Sequence, residues 1–160
     1  MKRFSSVASL MLAVVAVLGL AGPVAAGEQV PFKGKLGGVV SHAPVDDHTD
    51  SVLVEATGTA TRLGHFAVSV PHLVDLPTRT AAGYYEFTAT NGDTLYAEFT
   101  GQASPTATPG VISIVETATI TGGTGRFAGA TGSFVVERLF DRIAGTTIGH
   151  FEGTISRHGR

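Results

Sequence analysis

The sequence predicts an all-β protein, with a signal peptide at residues 1–26 and an eight-stranded antiparallel barrel at residues 27–160. Apolar and β-branched residues alternate with polar ones along most of the chain after residue 26. No stretch in that region keeps the 3.6-residue period of a helix. Gly, Pro and Asn interrupt the alternation at short intervals, which is typical of strands joined by turns.

Residues 1–26 have the three parts of a secretory signal peptide. Lys2 and Arg3 form a basic start, residues 7–20 are almost entirely apolar, and Val24-Ala25-Ala26 fits a signal peptidase site. The apolar run is shorter than the roughly 20 residues of a membrane-spanning helix, so we expect cleavage after Ala26 and no stable membrane insertion afterwards. Without a twin-arginine pair, the general secretory route is expected, giving a secreted or periplasmic protein.

The composition limits the partners that the exported domain could have. The chain contains no cysteine, so the domain has to fold by core burial without disulfides, and its length is sufficient for that. Loss of residues 1–26 leaves nine basic and thirteen acidic residues. This mildly acidic balance gives no reason to expect a nucleic acid or an anionic membrane as a partner.

Eight alternating stretches are predicted as strands, at 30–40, 51–61, 64–74, 82–90, 94–104, 111–121, 132–143 and 147–156. Strands of this length with mostly short connections form an antiparallel meander, and closure into a barrel removes the exposed sheet edges. The interior of an eight-stranded barrel is filled by side chains or holds one small ligand.

The turn between the fourth and fifth strands is predicted from the sequence Thr-Asn-Gly-Asp at 90–93. With the last three of these residues as the loop, Phe87 pairs with Ala97, and the apolar residues of both strands share one face. The same register sets Glu86 opposite Glu98 on the other face, a small repulsion that water can screen.

The glycine-rich stretch ITGGTGRFAGATGSF at 120–134 contains the spacing of a dinucleotide-binding fingerprint. A dinucleotide site also needs a helix after the loop, whereas residues 132–143 alternate with the period of a strand. We therefore predict no cofactor and interpret the stretch as a structural turn, with Phe127 folded back over one end of the barrel. The residues of this turn are Gly122, Gly123, Gly125, Phe127, Gly129 and Gly132.

The run GGTGRFAGATG at 122–132 resembles the turn of the allene oxide cyclase and dirigent barrel families, where Gly-Gly-Thr-Gly-x-Phe-x-x-Ala-x-Gly joins two strands. GTATRLGHFAV at 58–68 and NGDTLYAEFTG at 91–101 are similar to segments of exported bacterial relatives of that barrel. The resemblance implies a calycin-like barrel with a pocket and a possible homo-oligomer, a trimer or a dimer. The plant members guide phenoxy-radical coupling or cyclise an oxylipin epoxide. No catalytic residue is carried over to this chain.

Two charged residues, Glu116 and Arg138, stand on the predicted apolar faces of their strands. If the intervening loop is centred on Phe127, these two residues face each other. The pair could anchor a ligand in a pocket, or it could be a structural ion pair that fixes the register. Together with nearby aromatic residues it gives the predicted ligand-binding set: Tyr85, Phe87, Phe99, Glu116, Phe134, Arg138 and Phe140.

The histidines and acidic residues give no recognisable catalytic or metal motif. His65, His72 and His150 are predicted in strands and are interpreted as surface or core residues. His42 and His48 are predicted in an acidic loop at 41–50, whose spacing matches no zinc or calcium motif, so no metal is predicted. Small residues on the inner faces could leave a cavity: Gly58, Ala60, Ala89, Ala97, Ala118, Gly149 and Gly153.

The leading functional hypothesis is a secreted barrel that binds a small apolar or aromatic molecule, without a cofactor and without evident chemistry. One alternative is a cofactor-independent cyclase, isomerase or dirigent-type guide. The other is a structural or interaction module whose barrel is packed solid. A cavity of several hundred cubic ångströms is typical of ligand sites and would favour the first two hypotheses over the third.

Overall fold

A computed structural model describes residues 27–156 of the chain, which form a closed antiparallel barrel with each strand beside its sequence neighbours. The predicted all-β barrel is confirmed, while the predicted signal peptide lies outside the described residues. No helix within 27–156 is long and apolar enough to cross a membrane. The strands are β1 (Gln29–Pro44), β2 (Thr49–Ala60), β3 (Gly64–Asp75), β4 (Thr80–Ala89), β5 (Thr94–Pro105), β6 (Val111–Gly123), β7 (Gly132–Asp141) and β8 (Thr146–Ser156).

Alternation along each strand sorts the residues between the barrel interior and the outer wall. In β3, for example, Phe66, Val68 and Val70 are buried while Ala67 is exposed. The same period of two runs through the other strands, so the inner faces of the barrel share one core. The first strand is longer than predicted and includes His42, which therefore lies in β1, so the turn is confined to residues 45–48.

The β4–β5 hairpin has the predicted faces but a different register. Phe87 is opposite Leu95 rather than Ala97, and Glu86 is opposite Tyr96 rather than Glu98. The loop lies one residue earlier than predicted, because the Ala89 N–H bonds to the Asp93 carbonyl and encloses residues 90–92. A shift of two residues leaves every side chain on its predicted face.

The register between β6 and β7 is also shifted by two residues from the predicted one. Glu116 is opposite Val136, and Arg138 is opposite Ile114, so Glu116 and Arg138 are diagonal neighbours. The last pair before the loop is Ile120 with Gly132, so the loop is centred on Arg126 rather than on Phe127.

The glycine-rich stretch is a structural turn followed by a strand, as predicted. It contains a single 3-10 turn at Gly125–Phe127, and Phe127 packs into the core with about 4% of its surface exposed. Hydrogen bonds between Thr124 and Thr94 hold the turn against the start of β5. Arg126 donates its backbone N–H to the Asp93 carboxylate of the neighbouring hairpin at 3.3 Å.

The two ends of the barrel differ. The turns at 61–63, 90–93 and 124–131 lie at one end, called the capped end here, where Leu63, Phe127 and Ala130 are buried. The connections at 45–48, 76–79, 106–110 and 142–145 lie at the other end, called the open end, and their residues are mostly exposed.

Candidate functional site

A buried ion pair lies inside the barrel. The Arg138 guanidinium donates two hydrogen bonds to the Glu116 carboxylate, from Nη2 to Oε1 at 2.7 Å and from Nε to Oε2 at 3.1 Å. The Tyr85 hydroxyl donates a further hydrogen bond to Glu116 Oε2. The long Arg138 side chain reaches diagonally from β7 to Glu116 on β6. The predicted contact between Glu116 and Arg138 is therefore confirmed, although the predicted register of the two strands was wrong.

The polar cluster consists of Tyr85, Glu116 and Arg138, and the charges of Glu116 and Arg138 balance each other. Burial opposes the charge of Arg138, but the hydrogen bonds and attraction from Glu116 outweigh it and raise the pKa of the guanidinium. Burial, followed by the negative charge of Glu116, raises the pKa of the Tyr85 hydroxyl well above its ordinary value. Tyr85 therefore stays protonated, and the cluster holds one positive and one negative charge in bidentate contact.

His72 is a fourth buried polar group on the inner face, with about 7% of its surface exposed. Its Nδ1 is 2.9 Å from the Val70 carbonyl oxygen, and its ring packs edge-on against Phe99. Burial lowers the pKa of His72, the hydrogen bond to Val70 opposes this shift, and the smaller effects of the Arg138 and Glu116 charges oppose each other. His72 is therefore neutral near pH 7, and its Nδ1–H donates to Val70.

We predict that His72 makes the protein less stable in mild acid. Below the ordinary pKa of 6.5, the unfolded chain takes up a proton at this histidine that the folded protein, with its lowered pKa, does not. The free energy of unfolding should therefore fall as the pH decreases through 6.5.

Denaturant unfolding at about pH 7.5 and about pH 5 measures this loss of stability. His72→Phe keeps a ring against Phe99, and this variant should lose less stability over the interval than the wild type. His65→Gln, on the outer wall, is the control and should retain the wild-type loss. Equal losses in the wild type and His72→Phe would contradict the prediction.

Aromatic residues on the inner faces of the barrel pack against one another. Rings from six strands lie with their centroids 5.0–6.3 Å apart in edge-on, tilted and stacked pairs. Phe87 and Tyr85 are nearly parallel, and Phe134 packs edge-on against both. The members of this aromatic cluster are Phe32, Phe66, Tyr85, Phe87, Phe99, Phe134 and Phe151.

Small inner-face residues provide the room that these rings occupy. A Cβ atom on Gly58 would lie 2.7 Å from the Phe66 ring, and one on Gly153 would lie 2.7 Å from the Phe134 Cβ. Ala89, Ala97 and Ala118 are likewise buried within the core. These residues therefore make space for their neighbours in the core.

A concave space of about 480 Å³ lies at the open end, beyond the polar cluster. Val52, Val74, Ala103 and Ile112 contribute to its wall, and each continues the inner-face alternation of its strand. Leu76 and Pro105 add apolar surface, and Asp50, Arg79 and Arg142 lie at the rim. We call this space the open-end cavity. Other concavities of similar size lie on the outer wall, between Thr, Glu and Ala side chains.

The open-end cavity lies next to the polar cluster along the strands. Val52 is directly opposite His72, and Val74 is two residues beyond His72 on the same face. Ile112 is opposite Phe140, while Arg138 occupies the next inner-face position of β7 toward the capped end. None of the seven predicted ligand-binding residues lines the cavity. Their role in binding therefore stays a prediction, and Phe140 is the member whose strand position is closest to the cavity.

The predicted acidic loop has no arrangement suited to a metal ion. His42 Nδ1 is 3.3 Å from Asp50 Oδ2, and Asp46 accepts a hydrogen bond from the His48 backbone. Within residues 27–156, no three His, Asp or Glu side chains come close enough to hold a metal together.

This barrel is similar in fold to solved structures of other proteins. The pterocarpan synthase dirigent protein GePTS1 is similar to this chain at a TM-score of 0.59, with 12% sequence identity over 83% of this chain and 87% of its own. The pterocarpan synthase dirigent protein PsPTS1 is similar at a TM-score of 0.58, with 9% identity over 83% of this chain and 97% of its own.

The chain has a dirigent-like barrel fold. Identities this low establish the fold alone, and the dirigent-like barrel is a scaffold whose function depends on its own cavity. No known family profile matches the sequence. The search of curated proteins also gave no match.

Proposed function

We propose that this protein is a secreted or periplasmic barrel that binds a small apolar or aromatic molecule in the open-end cavity. The observation that carries the proposal is the cavity itself, about 480 Å³ with inner-face apolar walls beside a buried polar cluster. Ligand sites have volumes of this order and combine apolar walls with a few polar groups. An assembly of two or three copies is part of the proposal.

The charges of the polar cluster favour a neutral ligand. Glu116 and Arg138 are almost fully buried and engage each other through two hydrogen bonds, so neither charge is left to be balanced by a ligand. A charged molecule entering the cavity would lose hydration without gaining an unpaired partner from this cluster. Asp50, Arg79 and Arg142 border the same cavity, so the preference for an uncharged apolar body applies to the part of the ligand that lies beside the cluster.

The fluorescent probe N-phenyl-1-naphthylamine, an uncharged aromatic molecule, tests the proposal. The wild type should bind it saturably. Ala103→Leu adds side-chain volume to the cavity wall and should weaken binding by about tenfold or more, a loss of roughly 1.4 kcal/mol. Ala67→Leu makes the same change on the outer wall and should bind as the wild type does. Absence of saturable binding, or equal binding by both variants, would favour a solid-packed structural module.

A second candidate is a dirigent-type guide of a coupling reaction. Its support is the structural similarity to two proteins that are named pterocarpan synthase dirigent proteins. The test is to couple phenoxy radicals, generated from a phenol by a separate oxidase, with and without this protein. Chiral chromatography should then show an excess of one enantiomer, lost in Ala103→Leu and kept in Ala67→Leu. A racemic product at saturating protein would leave binding as the sole function.

A further inference from the structure

We propose that the open-end cavity binds an amphipathic carboxylate, with the apolar body of the ligand inside the barrel and its carboxylate at the rim, paired with Arg79 and Arg142. The inference rests on the proposed binding function and narrows it to compact apolar or aromatic acids. Three observations carry it. Both arginines border the cavity, neither guanidinium has a partner within residues 27–156, and the Asp50 carboxylate on the same border already has one.

Arg79 and Arg142 lie on two different connections at the open end. Arg79 ends the connection from β3 to β4, and Arg142 begins the connection from β7 to β8. Their backbones are fixed by hydrogen bonds of 2.9 Å, from the Ala103 N–H to the Arg79 carbonyl and from the Arg142 N–H to the Gly110 carbonyl. Both residues are exposed. Since an arginine side chain is long and flexible, each guanidinium can reach an anion that is held at the mouth of the cavity.

The two guanidinium groups are not engaged by the part of the protein that the structure describes. Within residues 27–156 the hydrogen bonds of Arg79 and Arg142 involve their backbone atoms, and neither side chain belongs to an ion pair. Arg126 at the capped end differs, because its guanidinium is 3.8 Å from the Asp93 carboxylate. Two positive charges at the rim of the cavity are therefore available to a ligand.

The acidic residues beside the cavity are engaged by the protein itself. Asp50 borders the cavity, and its Oδ2 is 3.3 Å from His42 Nδ1. Asp75 and Asp141 each accept two hydrogen bonds from their own turns and do not border the cavity. The acidic connection at 45–48 does not border it either. With two arginines and one aspartate, the border has a net positive charge, although the exported domain is acidic.

Arg79 also has a backbone conformation that favours glycine, which provides a controlled substitution. Its φ is 57°, whereas the left-handed positions of the two neighbouring connections are occupied by Gly110 and Gly145. Arg62 at the capped end has a φ of 71° and does not border the cavity. Arg79→Gly and Arg62→Gly should therefore both relieve an unfavourable backbone conformation, while only Arg79→Gly removes a charge from the cavity border.

An amphipathic acid suits both parts of this cavity. The inner part has apolar walls that include Val52, Val74 and Ile112, and it adjoins the polar cluster, whose charges are already paired. An apolar body is favoured there. At the rim a carboxylate stays in contact with water and can pair with guanidinium groups, which bind carboxylates through two parallel N–H bonds. A neutral molecule of the same shape leaves both arginines unpaired, and they repel a cation.

The test compares 4-tert-butylbenzoate, 4-tert-butylbenzamide and 4-tert-butylbenzylammonium, which share one apolar body, as competitors of N-phenyl-1-naphthylamine. The wild type should bind the carboxylate about tenfold more tightly than the amide, and the ammonium more weakly than the amide. This preference should decrease at high salt, which screens exposed charges. If the probe binds but the carboxylate competes no better than the amide, this inference fails and the proposed function stands. If the probe itself does not bind, the proposed function fails as well.

Variants of the two arginines assign the preference to the rim. Arg79→Gly should lower the affinity for the carboxylate about threefold, and Arg79→Gly/Arg142→Gln about tenfold, while the affinity for the amide stays unchanged. Arg62→Gly removes the same charge at the capped end and should keep the wild-type preference. Denaturant unfolding should show that all three variants are folded. Equal losses for the carboxylate and the amide, or the same loss in Arg62→Gly as in Arg79→Gly, would overturn the inference.

Discussion

Gly132→Ala is expected to destabilise the barrel by more than about 4 kcal/mol, a loss that small domains rarely survive. Gly132 begins β7 with a φ of 142°, a backbone conformation that residues with a side chain rarely adopt. A Cβ atom there would lie 2.2 Å from the Thr154 carbonyl oxygen and 2.9 Å from the Ile155 Cα. Both are backbone atoms of β8, so neither can move without breaking the pairing of the two strands.

Gly122→Ala separates the two causes of this loss. Gly122 has nearly the same φ, 140°, but a Cβ atom on it would have no heavy atom within 4 Å. This variant should therefore cost about 1–3 kcal/mol, the penalty of the strained backbone conformation alone. Denaturant unfolding of the wild type and both variants measures the difference. Equal losses in the two variants would show that the contact with β8 can relax.

Sequence alternation predicts which face a side chain occupies better than it predicts which residue lies opposite. Phe87 and Glu116 are both inward-facing, as their spacing indicates, yet each pairs two positions away from its predicted partner. A register shift of two residues preserves every face, so the hydrophobic pattern is equally satisfied by both registers. The position of each turn decides between them. That position depends on local hydrogen bonds such as that from the Ala89 N–H to the Asp93 carbonyl.

Small residues on an inner face are an ambiguous signal for a cavity. In the sequence, Gly58 and Gly153 suggest empty space because they have no side chain. In the fold, the Phe66 ring lies against Gly58 and the Phe134 Cβ lies against Gly153. Whether such a position is empty depends on neighbours from other strands, which periodicity does not identify. The open-end cavity is bordered by ordinary aliphatic residues such as Val52, Val74 and Ile112, which continue the inner-face alternation toward the open end.

The sequence could have identified His72 as a buried residue, because it lies at an even spacing from the apolar residues of β3. It follows Phe66, Val68 and Val70 at intervals of two, which places it on the buried face of β3, whereas His65 has the opposite parity and is exposed. A buried histidine needs a partner for each ring nitrogen. The sequence could not show that the backbone carbonyl of Val70 satisfies only one of them.

Single substitutions in the Glu116–Arg138 pair are expected to lower the free energy of unfolding strongly. Arg138→Met leaves a carboxylate with no exposed surface and only Tyr85 as a partner. Glu116→Gln leaves a buried guanidinium without a counter-charge. Each should cost about 3–5 kcal/mol, because the remaining charge is neither hydrated nor paired. Glu137→Gln is the matched control on the outer wall, where the carboxylate is 61% exposed, and should cost less than about 1 kcal/mol.

The double variant Glu116→Gln/Arg138→Met determines how much of these losses belongs to the contact itself. Replacing both partners removes both buried charges, so the double variant should be clearly more stable than the sum of the single losses predicts. Denaturant unfolding of the four proteins gives the coupling energy, and a value near zero would show that the two side chains act independently. If the coupling is large while N-phenyl-1-naphthylamine binds the folded double variant as it binds the wild type, the pair is structural. The ligand would then be recognised by the open-end cavity alone, because a buried ion pair can fix strand register and packing without contributing to ligand binding.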